Sequence, residues 1–253
     1  MIREKLINSS AADPRKFRWR SHEISRIEGL SDAVFAFAVT LLVVSLEVPK
    51  TFEELMHAMR GFGAFAVCFA LLFLVWFNQY KFFRRYGLQD ALTIIINAVL
   101  LFVVLFYVYP LKFLFTFLID MFTGGHGEVR LPNGTVEAMV ESSNQVASLM
   151  IIFGAGFMAV FGVFALLYWH AYRKRKQLEL NELEVFDTRT DIRESLLNVG
   201  IGLVSMAFAV FGHGKYAAVS GMTYMLTPVV MMMHGTLNGR RRRKLEAAVV
   251  PAT

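Results

Sequence analysis

The sequence predicts an all-α integral membrane protein with six transmembrane helices, and three observations carry that expectation. Of 253 residues, 56% are hydrophobic and only 18% charged, against roughly 25% charged in soluble domains. The apolar residues gather in six stretches almost free of charge, each near or above the ~18 residues that mark a membrane span. The basic residues, in turn, concentrate in alternate connecting segments. Hydrocarbon offers the backbone no water, so each apolar stretch is expected to be helical. A β-barrel would need alternating segments of ~10 residues, and the sequence has none.

In chain order, residues 1–29 form a polar N-terminal segment with seven Lys or Arg and no cleavable signal peptide. The first span is expected over Leu30–Val48 and stops at Pro49. The second covers Gly61–Tyr80 and the third Ala91–Tyr109, closed by Pro110. Lys112–Ile119 is apolar again and reads as either a helix extension or an interfacial turn. Val146–Trp169 and Ser195–Gly212 give the fourth and fifth spans, and a short His213-Gly214-Lys215 link leads to the sixth, Tyr216–Met233. A basic tail, residues 235–253, closes a single domain that spans residues 1–253.

Orientation follows from the Lys and Arg count. The N-terminal segment, Lys81–Asp90, His170–Glu194 and the tail hold 21 of the 26 basic residues, and the other three loops hold five. The positive-inside rule then places both termini in the cytoplasm of a multi-pass cell-membrane protein. The net charge of +6 is explained by this topology, so no nucleic-acid partner is expected. Arg240-Arg241-Arg242-Arg243-Lys244 reads as a topology anchor, with anionic lipid headgroups as the other reading. Asn133-Gly134-Thr135 spells a glycosylation sequon, a triplet that is common by chance.

Nothing in the sequence points to an enzyme. His22, His57, His126, His170, His213 and His234 are scattered without metal-ligand spacing, and phosphate loops, nucleophile elbows and zinc helices are absent. No catalytic residue, cofactor or resident metal is therefore expected. The single cysteine, Cys68, lies in an apolar stretch and reads as packing. Phe153, Phe157, Phe161 and Phe164 form an aromatic face that meets lipid or a partner helix, and Gly154 and Gly156 permit close helix approach.

The most informative segment is Arg26-Ile27-Glu28-Gly29-Leu30-Ser31-Asp32 at the entrance of the first span. One reading is local: Ser31 or Asp32 caps the helix, and the acid suits its N-terminal dipole. The other is tertiary, because buried polar groups in a membrane need partners and Asn78, Gln79 and Asn97 are candidates. At ~100° per residue, Ala33, Phe37, Thr40, Leu41 and Val44 share one stripe of this helix, opposite Phe35, Val39, Leu42 and Leu46. Most such stripes on membrane helices are packing faces.

This motif, followed by Ala33-Val34-Phe35-Ala36, Thr40-Leu41-Leu42-Val43 and Glu47-Val48-Pro49, with Trp76, Asn97 and Pro110 beyond, resembles the prokaryotic relatives of the endosomal/lysosomal potassium channel, transmembrane protein 175. The resemblance covers residues 26–110. Leu30 and Gln79 depart from it, standing where that family has Phe and often His. It implies a potassium-permeable cation channel that lacks a carbonyl-lined filter, as this chain does. A single motif copy implies a homotetramer with the first helix lining a central pore. It also implies a pore constriction at Phe37, Thr40 or Leu41, and Val44, and a structural polar network of Arg26, Ser31, Asp32, Trp76 and Asn97. Potassium ions, in transit only, membrane lipid and further copies of the chain are the implied partners. Apolar rings resist wetting and penalise ions that hold water tightly, so potassium is favoured over sodium. The competing readings are a secondary transporter, which inverted repeats and broken helices would mark, and a non-conducting structural membrane protein.

Overall fold

The computed structural model describes residues 17–21, 23–44, 50–52, 55, 56, 59, 61–123, 127–130, 135–212 and 216–249. The described elements are α1 (Arg26–Val44), α2 (Phe62–Tyr86), α3 (Ala91–Phe122), β1 (Glu128–Arg130), β2 (Val136–Ala138), α4 (Ser143–Arg173), α5 (Glu182–Phe211), α6 (Ala217–Thr223) and α7 (Leu226–Val249). The described residues are all-α apart from the two short strands, which pair antiparallel with Val129 opposite Glu137. The His213-Gly214-Lys215 link and the Asn133-Gly134 part of the sequon lie outside the described residues.

Four of these helices, α2 to α5, are long and apolar enough to cross a membrane. The six expected spans are therefore matched only in part. The expected first span runs on to Val48, but residues 45–49 lie outside the described residues. The expected sixth span is two pieces, α6 and α7, joined through Tyr224 and Met225. Its break has a covalent cause. Pro228 sits in the first turn of α7, where it has no N–H to give the Tyr224 carbonyl and its ring excludes the preceding helical turn. Tight i→i−3 bonds, such as Met225 N to Met222 O at 3.0 Å and Thr227 N to Tyr224 O at 3.1 Å, carry the chain through the join.

Pro110 behaves differently. The third span was expected to end there, yet α3 continues to Phe122, so Lys112–Ile119 is the helix extension of the two readings offered. A proline costs one backbone bond. Leaving the mostly apolar stretch that follows unpaired in hydrocarbon would cost several, so the helix persists.

Packing follows chain order. α1 lies against α2 and α3, α2 against α3, α3 against α4, and α4 against α5, with α6 and α7 covering α5. Leu42, Cys68, Phe82, Leu100, Leu167 and Ala171 are fully buried in this core. Phe82 meets Tyr168 edge-on at 5.5 Å, and Tyr86 joins them. The Phe153 to Phe164 face turns inward: Phe153 and Phe164 are buried, and Phe153 and Phe157 hold Tyr224 between α6 and α7 at 4.8 and 5.1 Å. Gly156 lets Tyr107 of α3 approach α4, since a Cβ there would fall 2.1 Å from the tyrosine ring. The Tyr107 hydroxyl then donates to the Phe153 carbonyl at 2.8 Å.

Candidate functional site

α1 has two unlike faces. Glu28, Ser31, Phe35, Ala38 and Leu42 are buried, with spacings of three and four that form one stripe against α2 and α3. Across the helix, Ala33, Phe37 and Thr40 are exposed, and Phe37 keeps 55% of its surface open. Leu41 is half-buried against the core, so it sits at the edge of the open face. Val44 closes the described helix, and its side chain lies outside the described residues. The Thr40 hydroxyl donates to the Ala36 carbonyl at 2.9 Å. Its proton is thereby directed to the backbone, and its lone pairs stay available on the open face.

The buried stripe begins with a polar clamp. Asp32 accepts the indole N–H of Trp76 from α2 at 2.7 Å. Gln79 Nε2 donates to Asn97 Oδ1 at 2.7 Å, Asn97 Nδ2 donates to Ser31 Oγ at 3.0 Å, and Ser31 donates to the Ile27 carbonyl at 2.8 Å. This relay crosses from α2 through α3 to α1, and every side chain in it is buried. Measured membrane hydrogen bonds of this kind contribute about 0.6–2 kcal/mol each. Gln79, which departs from the resembled pattern, is thus an end of the relay. Asn78 has no part in it.

Arg26 lies apart from this relay. It opens α1 on the exposed side, and its side chain makes no hydrogen bond or ion pair among the described residues. Six residues separate it from Asp32, so the two point about 120° apart. The ionic contact at this entrance is instead Glu28 with Arg84 of α2, at 3.7 Å. Glu28 also receives the Ser25 amide at 3.1 Å, and the Ser25 hydroxyl receives the Glu28 amide at 3.2 Å. This reciprocal pair is a capping box, and its Ser-x-x-Glu spacing was the signal in the sequence.

A second set of charges lies at the same end of the bundle. Residues 17–21 run beside the end of α2, where the Arg20 amide donates to the Arg84 carbonyl at 3.0 Å. Arg18 and Arg20 converge on Glu184, which is only 1% exposed. Glu184 belongs to a second capping box, with Asn181, that starts α5. Arg85 pairs with Asp191 at 2.8 Å and Arg242 with Asp187 at 2.9 Å, so one member of the basic run in α7 is bound to α5. Between α2 and α3, Asp90 holds His170 of α4 and Lys174, which caps that helix, at 2.9 and 3.2 Å. Burial opposes its charge, but hydrogen bonds from Thr93, Lys174 and His170 prevail and hold the carboxyl down at about 2. Among the described residues, no group of three or more His, Cys, Asp or Glu is placed to hold a metal ion.

Comparison with known proteins adds to this geometry. The model of the family described as endosomal/lysosomal potassium channel TMEM175 matches residues 26–107. A potassium channel of Marivirga tractuosa is 41% identical over 233 residues, which cover 90% of this chain and 93% of that protein. A potassium channel of Streptomyces collinus is 25% identical over 227 residues, covering 82% and 96%. Among solved structures, a variant of the potassium channel MtTMEM175, bound to a nanobody–MBP fusion protein, matches with a TM-score of 0.77 at 40% identity, covering 90% of this chain and 98% of that one. The lysosomal potassium-selective channel TMEM175 homolog from Chamaesiphon minutus gives a TM-score of 0.53 at 23% identity over 85% and 99%, a likeness of fold alone.

Proposed function

This chain belongs to the TMEM175 potassium-channel family, and on that premise we propose that it is a potassium channel of the cell membrane in which α1 lines the conducting path. One observation carries the assignment of the path: α1 commits its Ser31/Phe35/Ala38/Leu42 face to α2 and α3 and leaves Phe37 and Thr40 uncovered. Four copies of the chain around a common axis bring those open faces together. Phe37 then forms a dry ring that resists wetting, with Thr40 one turn further and Leu41 at its edge. Val44, a further turn along, forms the second ring. Such rings serve as gate and filter, since an ion passes only by giving up water and potassium gives it up more readily than sodium. Thr40 oxygens replace part of the lost hydration shell.

In this reading the chain is one domain that crosses the bilayer six times. α1 is the first crossing, at ~28 Å for its 19 described residues, and α6 with the start of α7 is the last. The bias of 21 basic residues against five sets both termini in the cytoplasm. The charged belt of Arg18, Arg20, Glu184, Asp90 and Asp187 then lies at the cytoplasmic surface, where ions remain hydrated.

The decisive experiment is ion flux from the purified full chain in liposomes under a potassium gradient. Potassium uptake that exceeds sodium uptake, carried by a complex that cross-links to four subunits, is the expected result. A stable monomer, or liposomes tight to potassium, would overturn the reading.

A further inference from the structure

Lys112 is a cation in an otherwise apolar part of α3, two residues beyond Pro110 and ~32 Å along the helix from Ala91. A lysine so placed usually extends its ammonium toward the headgroups. Here the ammonium is directed sideways instead, and it donates to the Leu42 carbonyl of α1 at 2.7 Å. The contact joins two backbone-spaced features. Leu42 is fully buried on the packed face of α1, and the same helical turn carries Thr40 and Leu41 on and beside the open face. Lys112 therefore satisfies two requirements at once: its ammonium has a hydrogen-bond acceptor in an otherwise apolar region, and the Leu42 turn of α1 is fixed to α3.

We propose that Lys112 is a positioning residue of the ion path, holding the Thr40–Leu42 turn of α1 at a set distance from the pore axis. The proposal rests on the reading of α1 as the pore-lining helix. The polar clamp at Ser31 and Asp32 fixes the N-terminal end of α1, and Lys112 fixes it again about three turns later. With both ends held, the rings at Phe37 and Thr40 keep one radius. With the second anchor removed, that turn swings and the narrow layer loosens.

The test uses the full chain in liposomes with opposed potassium and sodium gradients. Lys112→Met keeps the length of the stem and removes the donor, so the potassium preference is expected to fall roughly fivefold or more, mainly through increased sodium flux. Lys112→Arg, which keeps a charged donor, should stay within about twofold of the parent. A Lys112→Cys variant in a Cys68→Ala background supplies an independent measurement on one folded protein. Aminoethyl methanethiosulfonate, which restores an ammonium at nearly lysine length, should recover the preference, whereas methyl methanethiosulfonate should not. If Lys112→Met fails to assemble, this modification series decides. Unchanged selectivity in Lys112→Met, or equal recovery with both reagents, would overturn the positioning role. A parent protein that passes no potassium would overturn the channel reading itself, and is distinguished by failing before any substitution is made.

Discussion

The indole of Trp76 donates its N–H to the Asp32 carboxylate at 2.7 Å, tying α2 to the entrance of α1. Because Asp32 stands on the exposed side of its helix, this bond and the buried Ser31–Asn97 bond hold α1 from two directions. The bond ties the Asp32 carboxylate to a neighbouring helix, which supports the proposal that Asp32 is a structural group and not an ion site.

Trp76→Phe and Asp32→Asn should each lower the stability of the assembled protein by about 1–2 kcal/mol. The double variant should cost less than the two together, since the second change has no bond left to remove. Thermal unfolding in mild detergent, followed by size-exclusion, measures the cycle. Assembly should suffer before selectivity does. A variant of Asp32 that assembles normally and loses only potassium preference would make Asp32 an ion site.

Phe37→Ala is expected to raise ion flux and weaken the preference for potassium over sodium, with Val44→Ala acting in the same sense more mildly. Phe35 supplies the control, because it is 5% exposed on the packed face. Phe35→Ala should cost about 3–5 kcal/mol of stability and leave the selectivity of the surviving channels unchanged. Liposome flux and detergent unfolding, run on the same preparations, separate the two effects. Selectivity that tracks Phe35 while Phe37 is silent would reverse the assignment.

Gly156→Ala places a methyl group where the Tyr107 ring now lies, 2.1 Å from the new carbon. Forcing α3 and α4 apart should destabilise the protein by about 1–3 kcal/mol. Tyr107→Phe, which only removes the bond to the Phe153 carbonyl, should cost less. Unfolding midpoints in detergent test the order, and a Gly156→Ala protein as stable as the parent would show that the ring moves aside freely.

The carboxyl of Asp90, held down at about 2 from an ordinary 3.8, contributes stability that is fully present above the unfolded value. That contribution is lost as pH falls through the folded one. The window is therefore roughly pH 4 to 2, and the amount at neutral pH is about 2 kcal/mol. Asp90→Asn should lower stability at pH 6 and flatten the acid limb across that window. Unfolding midpoints taken at intervals between pH 6 and 2 provide the check, and parallel curves for parent and variant would contradict it.

Single cysteines introduced at Arg18, Leu180 and Arg243 in a Cys68→Ala background should be shielded from an impermeant maleimide in intact cells, while one at Thr135 reacts. The expectation rests on the bias of 21 basic residues against five. Labelling of residue 243 together with protection of residue 135 would invert the topology.

Much of this protein is determined by short-range properties that its sequence displays directly. Six apolar stretches almost free of charge are enough to set the all-α class, because hydrocarbon permits the backbone few other solutions. The division of α1 into two stripes also follows from a ~100° period, whereas the open role of the Phe37 stripe was implied only by the family resemblance, and the burial of Phe35 and Leu42 is a finding of the fold. The Ser25-x-x-Glu28 and Asn181-x-x-Glu184 boxes are contacts between residues three apart, a local signal; the expected cap at Ser31 or Asp32 is instead at Ser25, ahead of both, so those two residues lie inside α1.

Tertiary structure decided the rest. Pro110 and Pro228 are the same residue type, yet the first lies within a continuous helix and the second at the start of one. Proline by itself does not say which outcome follows: after Pro110 the helical bonding resumes, and before Pro228 the chain passes through a tight turn at Tyr224 and Met225. Arg84, and not Arg26, meets the acid at the entrance of α1, because the choice depends on where the end of α2 comes to rest. The Lys112–Leu42 contact joins positions 70 residues apart. Charge and hydropathy decide whether a segment enters the membrane, but pairing among segments depends on side-chain shapes meeting across helices, and that information exists only once the chain has folded.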